Sequence, residues 1–346
     1  MTRRSMTRIV TRVSGFSGGR ALCLAAALTL TAATVTAATV TPALADNYPS
    51  KTITLIVPAS PGGVIDMLGR QLAAHLTADL GSPAVVENKP GANNQVGAEY
   101  VTHQPGDGYV LFVAPESTFI INPSLYDHLP YDPVKGFTPI SGLVQVYHTM
   151  VLNPSVPANN IEELIALDKK NPGQLNYGTY GVGSSGHLNM EMFKSMTGTK
   201  FVPVHYKGAT PAMQDLIGGQ IQMMFVSTGT AVPQVKGGTA KMIGIGSPKR
   251  VALLPDVPTI AESGVPGFVA VSWFALFGPP GMPADVVAKL NAEVHKTFAD
   301  PAVQKNFLDA QYFESIAGTP EDVTQRIGVE EPKWRKLIKD LDIKPE

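Results

Sequence analysis

The chain has 346 residues, 27 basic and 28 acidic side chains, 44% hydrophobic residues and one cysteine. That length suits two α/β domains better than one core, and a near-neutral charge without Lys/Arg clusters argues against a nucleic-acid or anionic-membrane partner. The first 45 residues stand apart from the fold. Arg3, Arg4, Arg8, Arg12 and Arg20 precede an apolar run rich in Ala and Thr, and Ala43-Leu44-Ala45 supplies the small-x-small pattern of a signal-peptidase site. An export signal spanning 1–45, cleaved after Ala45, is expected. A retained membrane anchor is the competing reading, against which the Thr/Ala content and the cleavage pattern weigh. Removing the signal takes away Cys23 and five Arg, leaving a cysteine-free chain of net charge about −6. No later stretch is long and apolar enough to span a membrane.

Residues 52–57 form a short β-branched run bounded by Pro58, which predicts a buried strand; Pro61-Gly62-Gly63 then turns into a helix. Ile65, Leu68, Leu72, Leu76 and Leu80 give that helix one apolar face, and Gly81 with Pro83 stops it. The glycine pair brings unpaired backbone N–H groups to the helix start, where the helix dipole favours an anion such as a carboxylate. Pro-Gly-Gly turns also join strands to helices with no ligand, so this stretch alone does not decide.

A strand at 84–87, a loop at 88–94, a helix at 95–102 and a strand at 109–113 complete a βαβαβ order, which predicts a parallel sheet. Its ligand loops are then 60–66, 89–94 and 115–118, on one crevice. The alternation restarts near residue 147. Strands are expected at 149–152, 175–178, 201–204, 223–226 and 242–245, with helices at 161–170, 187–197 and up to 217. After 255–258 come a strand at 271–277 and helices at 284–298, 301–308 and 320–340. This last part holds too few strands for a sheet of its own, so it is expected to return to the first unit. Residues 46–147 with 271–346 then make one lobe and 148–270 the other, with two crossings that act as a hinge.

Three chemistries compete for the remaining motifs. Residues 181–186 match G-x-G-x-x-G, but the acidic residue expected about 20 positions on is missing, which disfavours a dinucleotide. The loop reads instead as a second anion-binding helix start, with Ser184 and Ser185 as further donors. Ser185 and His187 do not fit G-x-S-x-G, and two residues apart at a helix start is no nucleophile–base geometry. Seven scattered His residues show no metal-ligand spacing, so neither a metal nor a cofactor is expected.

These loops, with Tyr48-Pro49-Ser50-Lys51, Val86-Glu87-Asn88-Lys89-Pro90-Gly91-Ala92, Asp107-Gly108-Tyr109, Ile121-Asn122-Pro123-Ser124-Leu125-Tyr126, Asp215-Leu216-Ile217-Gly218-Gly219-Gln220 and Leu254-Pro255-Asp256-Val257-Pro258, occur in the order found in one family. The chain closely resembles the tripartite tricarboxylate transporter substrate-binding proteins, the Bug family of periplasmic solute receptors. The resemblance implies an α/β, two-lobed periplasmic binding protein fold of the type II kind, each lobe a mainly parallel sheet flanked by helices. It implies a monomeric, non-enzymatic receptor in the periplasm that closes on a small carboxylate and delivers it to a two-subunit membrane permease. By position, the resemblance names Ser60, Gly63, Val64, Ile65 and Asp66 on one side, with Asn93, Glu116, Ser117 and Thr118 beside them. Gly183, Ser184 and Ser185 stand opposite, with Lys207 and Val226 completing the set. Many members have Ser or Thr where this chain has Val64 and Ile65, Asp where it has Val226, and a small or neutral residue at Glu116. These departures point to an aromatic or otherwise partly apolar carboxylate. A ligand-sensing receptor for a membrane histidine kinase would use the same fold and stays open, as does, with less support, a hydrolase.

Overall fold

The computed structural model describes residues 48–345, so the expected export signal, Cys23 and the cleavage site lie outside the described residues. The first part runs β1 (Ile53–Val57), α1 (Val64–Leu80), β2 (Ala84–Asn88), α2 (Gln95–Thr102), β3 (Val110–Pro115) and two helical turns, α3 (Ser117–Ile120) and α4 (Asn122–Leu125). A long strand, β4 (Thr138–Leu152), then leads into α5 (Ile161–Lys170), β5 (Asn176–Thr179), α6 (Ser185–Thr197), β6 (Val202–His205), α7 (Ala209–Ile217), β7 (Met223–Ser227), α8 (Thr228–Lys236) and β8 (Lys241–Ile245). The chain returns through β9 (Val271–Gly278), α9 (Ala284–Ala299), α10 (Pro301–Val303) with a π-helical turn (Gln304–Asp309), β10 (Phe313–Ser315) and α11 (Pro320–Asp340).

Two sheets share β4. In the first, β2, β1 and β3 are parallel, as the βαβαβ order predicts, while β9 pairs antiparallel with both β3 and β4, and β10 antiparallel with β4. In the second, β6, β5 and β7 are parallel, and the 148–152 half of β4 lies antiparallel between β7 and β8. The sheets are therefore mixed where mainly parallel ones were expected, because the two crossing strands run against the βαβ strands they join.

Burial follows the pleat. Ile53, Leu55 and Val57 face a core shared with Leu68, Leu72 and Leu76 of α1 and with Val286, Leu290 and Val294 of α9. Ile56 faces the opposite core with Val101 of α2, Phe119 of α3 and Val323 of α11. The second sheet is covered likewise, with Ile161, Leu164 and Phe193 on one face and Ala212, Leu216 and Ala231 on the other. Alternate side chains of the inner strands thus meet helices on both faces, while the edge strands β2 and β6 are partly exposed, which makes each sheet a three-layer unit.

The 138–148 half of β4 escapes a sequence reading because Pro139 and Gly142 look like strand breakers. The structure accommodates both as irregularities, with register shifts against β9 between Pro139 and Ser141 and between Gly142 and Val144. Gly142 is required by a neighbouring backbone, since a Cβ there would lie 2.3 Å from the Ile316 carbonyl oxygen.

Gly142→Ala is therefore expected to destabilise the chain by about 2 kcal/mol or more, because rigid backbone has to give way. A Cβ on Gly328 in α11 would meet nothing within 4 Å, and Gly328→Ala is expected to stabilise by about 0.5–1 kcal/mol through helix propensity. Denaturant unfolding of the two variants checks the contrast, and equal effects would contradict it.

Candidate functional site

Because β2, β1 and β3 are parallel neighbours, the segments after Asn88, Val57 and Pro115 leave from one edge; those after Ser227, Thr179 and His205 do the same in the second sheet. On the first edge Gly63 caps α1 without a side-chain hydrogen bond, and the adjoining Ser60 to Gly63 segment is exposed. Val64 and Ile65 are half-buried against the core of the first sheet.

Asp66 turns back into its own loop. Its carboxylate accepts from the Gly62 N–H (2.9 Å), Arg70 Nε (2.8 Å) and Asn88 Nδ2 (2.9 Å), and only 3% of the residue is exposed. Hydrogen bonding from Arg70 leads the causes that hold its pKa down at about 2, against an opposing burial cost. Asp66 therefore shapes the Pro61–Gly63 turn by fixing the Gly62 amide.

The loop after β2 carries three consecutive left-handed residues, Ala92, Asn93 and Asn94, a conformation costly for Ala and tolerated by Asn. Side chains hold it in place. Asn93 Nδ2 donates to Asn122 Oδ1 (2.7 Å), Asn122 Nδ2 donates back to the Asn93 carbonyl (2.8 Å), and Asn94 Nδ2 donates to Ser117 Oγ (3.0 Å). Thr118 is fully buried, and its hydroxyl has no hydrogen-bond partner among the described residues.

On the second edge Ser184 caps α6. Its Oγ accepts from the His187 N–H (3.4 Å) and donates to the Gly181 carbonyl (2.6 Å). The Gly183 N–H is engaged as well, donating to His187 Nδ1 at 3.2 Å. That contact needs a neutral imidazole, and burial, the leading cause, pushes the His187 pKa down to about 4. Gly183 adopts φ +74°, and a Cβ there would fall 2.3 Å from Leu125 Cδ2 of α4. Leu188 of α6 is buried with Phe119, Ile120 and Leu125, so the two edges meet here. Lys207 is exposed on the loop after β6, whereas Val226 is buried in a core with Val151 and Ala231.

Between the edges lies a set of buried polar groups that sequence spacing does not associate. Glu116 follows β3 and is 7% exposed, and Ser272 is close enough to favour its charged form. Ser272 Oγ is 3.0 Å from His148 Nε2, His148 Nδ1 is 3.4 Å from the Tyr180 hydroxyl, and that hydroxyl is 3.0 Å from Ser185 Oγ. Burial, outweighing the opposing influence of Ser272, raises the Glu116 pKa to about 7, and burial lowers that of His148 to about 4. Sequence spacing does not reveal His148, Tyr180, Asn122 and Ser272 as a group, because their partners lie up to 124 residues away. Glu116 itself is found through its loop.

Among the described residues no group of three or more His, Cys, Asp or Glu could hold a metal ion. A separate cavity of about 220 Å³ lies between Trp273 of β9 and Val323 and Arg326 of α11. Arg326 already donates to Glu330 (2.9 Å) and Gln145 (3.0 Å), which leaves the two glycine-bearing edges as the better place for an anion.

A family model described as "Tripartite tricarboxylate transporter family receptor" matches residues 68–343. Protein BugT of Bordetella pertussis is 32% identical over 304 residues, which is 88% of this chain and 93% of that protein. The structure of Rpa4515 from R. palustris with adipate has a TM-score of 0.80 at 32% identity, covering 86% of this chain and 100% of that one. MatC (Rpa3494) from Rhodopseudomonas palustris with bound malate has a TM-score of 0.75 at 29% identity, covering 84% and 100%. The chain belongs to the tripartite tricarboxylate transporter receptor family, which includes the Bug proteins, and has the two-lobed α/β fold of periplasmic binding proteins.

Proposed function

We propose that this protein is an extracytoplasmic receptor that closes two lobes, 46–147 with 271–346 and 148–270, around a small carboxylate. It then delivers the carboxylate to a two-subunit membrane permease. The observation that carries the proposal is that Gly183, just before α6, seats Leu125 of α4, so that loops of the two sheets meet, with the uncapped α1 start at Gly63 leaving the same sheet edge as the α3–α4 segment. Each edge offers first-turn N–H groups and hydroxyls to an anion. The similar proteins solved with adipate and malate support a dicarboxylate. Val64 and Ile65, half-buried beside the first edge, support a ligand with an apolar body. The export signal expected at 1–45 supports action in the periplasm, where the protein works as a monomer.

Titration calorimetry with adipate, malate and aromatic carboxylates is expected to show saturable one-to-one binding without turnover, favouring the more apolar compounds. Binding of none of them, or catalytic consumption, would overturn the receptor reading.

Closure depends on the glycine seat of Leu125. Gly183→Ala is expected to weaken adipate binding by tenfold or more, and adding Leu125→Ala to recover part of that loss, because the second change removes the clash but not the left-handed strain. Two losses that simply add would argue against the contact.

Asp66→Asn is expected to weaken binding several-fold by loosening the Gly62 turn, and to lower stability by on the order of 1–2 kcal/mol near neutral pH, discounted for the exposed Arg70. The native carboxyl is held down at about 2 from 3.8, so its contribution is present above about pH 4 and is lost as pH falls through 2. Acid unfolding followed by circular dichroism should show that component missing in the variant.

A further inference from the structure

Glu116 combines three features that the binding reading does not explain. Its carboxyl is more than nine-tenths buried, it stands at the end of β3 beside the cleft, and among the described residues no cation pairs with it. The groups facing it come from four elements. Ser272 on β9 is close enough to favour its charged form, His148 on β4 and Tyr180 after β5 continue from Ser272 as a chain of polar contacts, and Glu330 on α11 adds a like charge. The nearby cation on α11, Arg326, is committed elsewhere: it pairs with Glu330 and Gln145, and its guanidinium lies 5.4 Å from the Trp273 ring centre. His148 supplies no positive charge, because burial holds it neutral. An ionised Glu116 would thus be buried without compensation, and a bound carboxylate would bring a second negative charge to the same enclosure.

We infer that Glu116 determines which ligands the cleft accepts by meeting a bound carboxylate as a neutral acid, so that the protein takes up its ligand together with one proton. The inference rests on the receptor reading given above. The proton comes from solvent, stays on the Glu116 carboxyl while the cleft is closed, and returns to solvent on release; no covalent bond of the ligand changes. Two carboxyl groups that share one proton attract, where two carboxylates would repel. The contacts Ser272–His148–Tyr180–Ser185 run from the neighbourhood of Glu116 on the first edge to the second. Closure that orders Ser185 therefore also orders the groups around the acid. Burial without a paired cation raises the Glu116 pKa to about 7, inside the range a cell experiences.

The test uses the mature chain and adipate as the probe. Between about pH 5.5 and about pH 8.5 adipate affinity should fall by roughly 30-fold, with uptake of up to about one proton per ligand, read from binding enthalpies in phosphate and Tris. Glu116→Gln, a neutral isostere, should flatten that profile and bind adipate more tightly than the native protein at the alkaline end. Infrared difference spectra of the ligand-free protein should show a protonated-acid band that is lost on raising the pH and is missing from the variant. If the variant does not fold, the proton count of the native protein decides. Binding that is flat with pH and takes up no proton overturns the inference and leaves the receptor reading standing. A pH-dependent acid band with no binding of adipate, malate or aromatic carboxylates at either pH overturns both.

Discussion

At His148 the chain leaves one sheet for the other, and three backbones meet there. The His148 N–H donates to the Ala270 carbonyl (3.0 Å), the Gly246 N–H donates to the His148 carbonyl (2.8 Å), and the Ala270 N–H donates to the Gly246 carbonyl (2.8 Å). The approach is close enough to demand glycine, since a Cβ on Gly246 would lie 2.5 Å from the Ala270 Cβ. Each bond contributes about 1 kcal/mol, but their larger effect is geometric. They fix where β4 stops pairing with β9 and starts pairing with β7 and β8, and so where each set of ligand loops emerges. A common ligand for the Gly63 and Gly183 loops, as proposed above, would depend on this junction, which sets the relation between the sheets that carry them.

The same junction explains why polar groups are buried between the two edges. His148 must lie on the crossing strand, and its side chain is buried where the sheets part. A buried imidazole needs partners, and Ser272 on the returning strand and Tyr180 on the second edge are within reach of its two nitrogens. Polar groups that satisfy the fold are thereby drawn to the place where the ligand loops converge. Asp66 and His187 follow the same logic one layer out. Each occupies a backbone N–H of a glycine turn, Gly62 in one case and Gly183 in the other, and holds that turn in shape for the donors beside it. A residue next to a ligand loop can thus be indispensable to recognition without touching the ligand.

Much of the fold is legible in the sequence because local signals agree with packing. The Ile65 to Leu80 stripe produces a helix whose Leu68, Leu72 and Leu76 are fully buried, Gly81 ends it in the left-handed conformation, and Asn160 caps α5 through the Glu163 N–H. Met223 and Met224, whose place in a strand marks them as core, are both fully buried. What escapes is any feature that depends on a distant neighbour. Pro139 and Gly142 resemble breakers until β9 and Ile316 are placed beside them, and α8 is obscured by Pro233. The glycine loops are readable for the same reason as the helices, since turn chemistry is local. The polar chain from Glu116 to Ser185 is not, because its members come from segments scattered along the sequence and only the crossing brings them together.

Several charges of this protein are committed to one another near the two edges. Arg70 is paired with Asp66, Arg326 with Glu330, and Lys194 with Glu191 on the second helix of the site. What an anion at the two edges would meet is a set of N–H groups and hydroxyls, with the exposed Lys207 on the loop after β6. Neutral donors carry little desolvation cost compared with a buried cation, and the helix starts add a field that does not need a counter-charge of its own. On the proposal above, such a site would distinguish carboxylates by how well their remaining atoms fill the space beside Val64 and Ile65. Glu116 would add a separate discrimination, by charge: on the inference above, an acid without a cation penalises surplus negative charge, while its hydroxyl form adds one more donor.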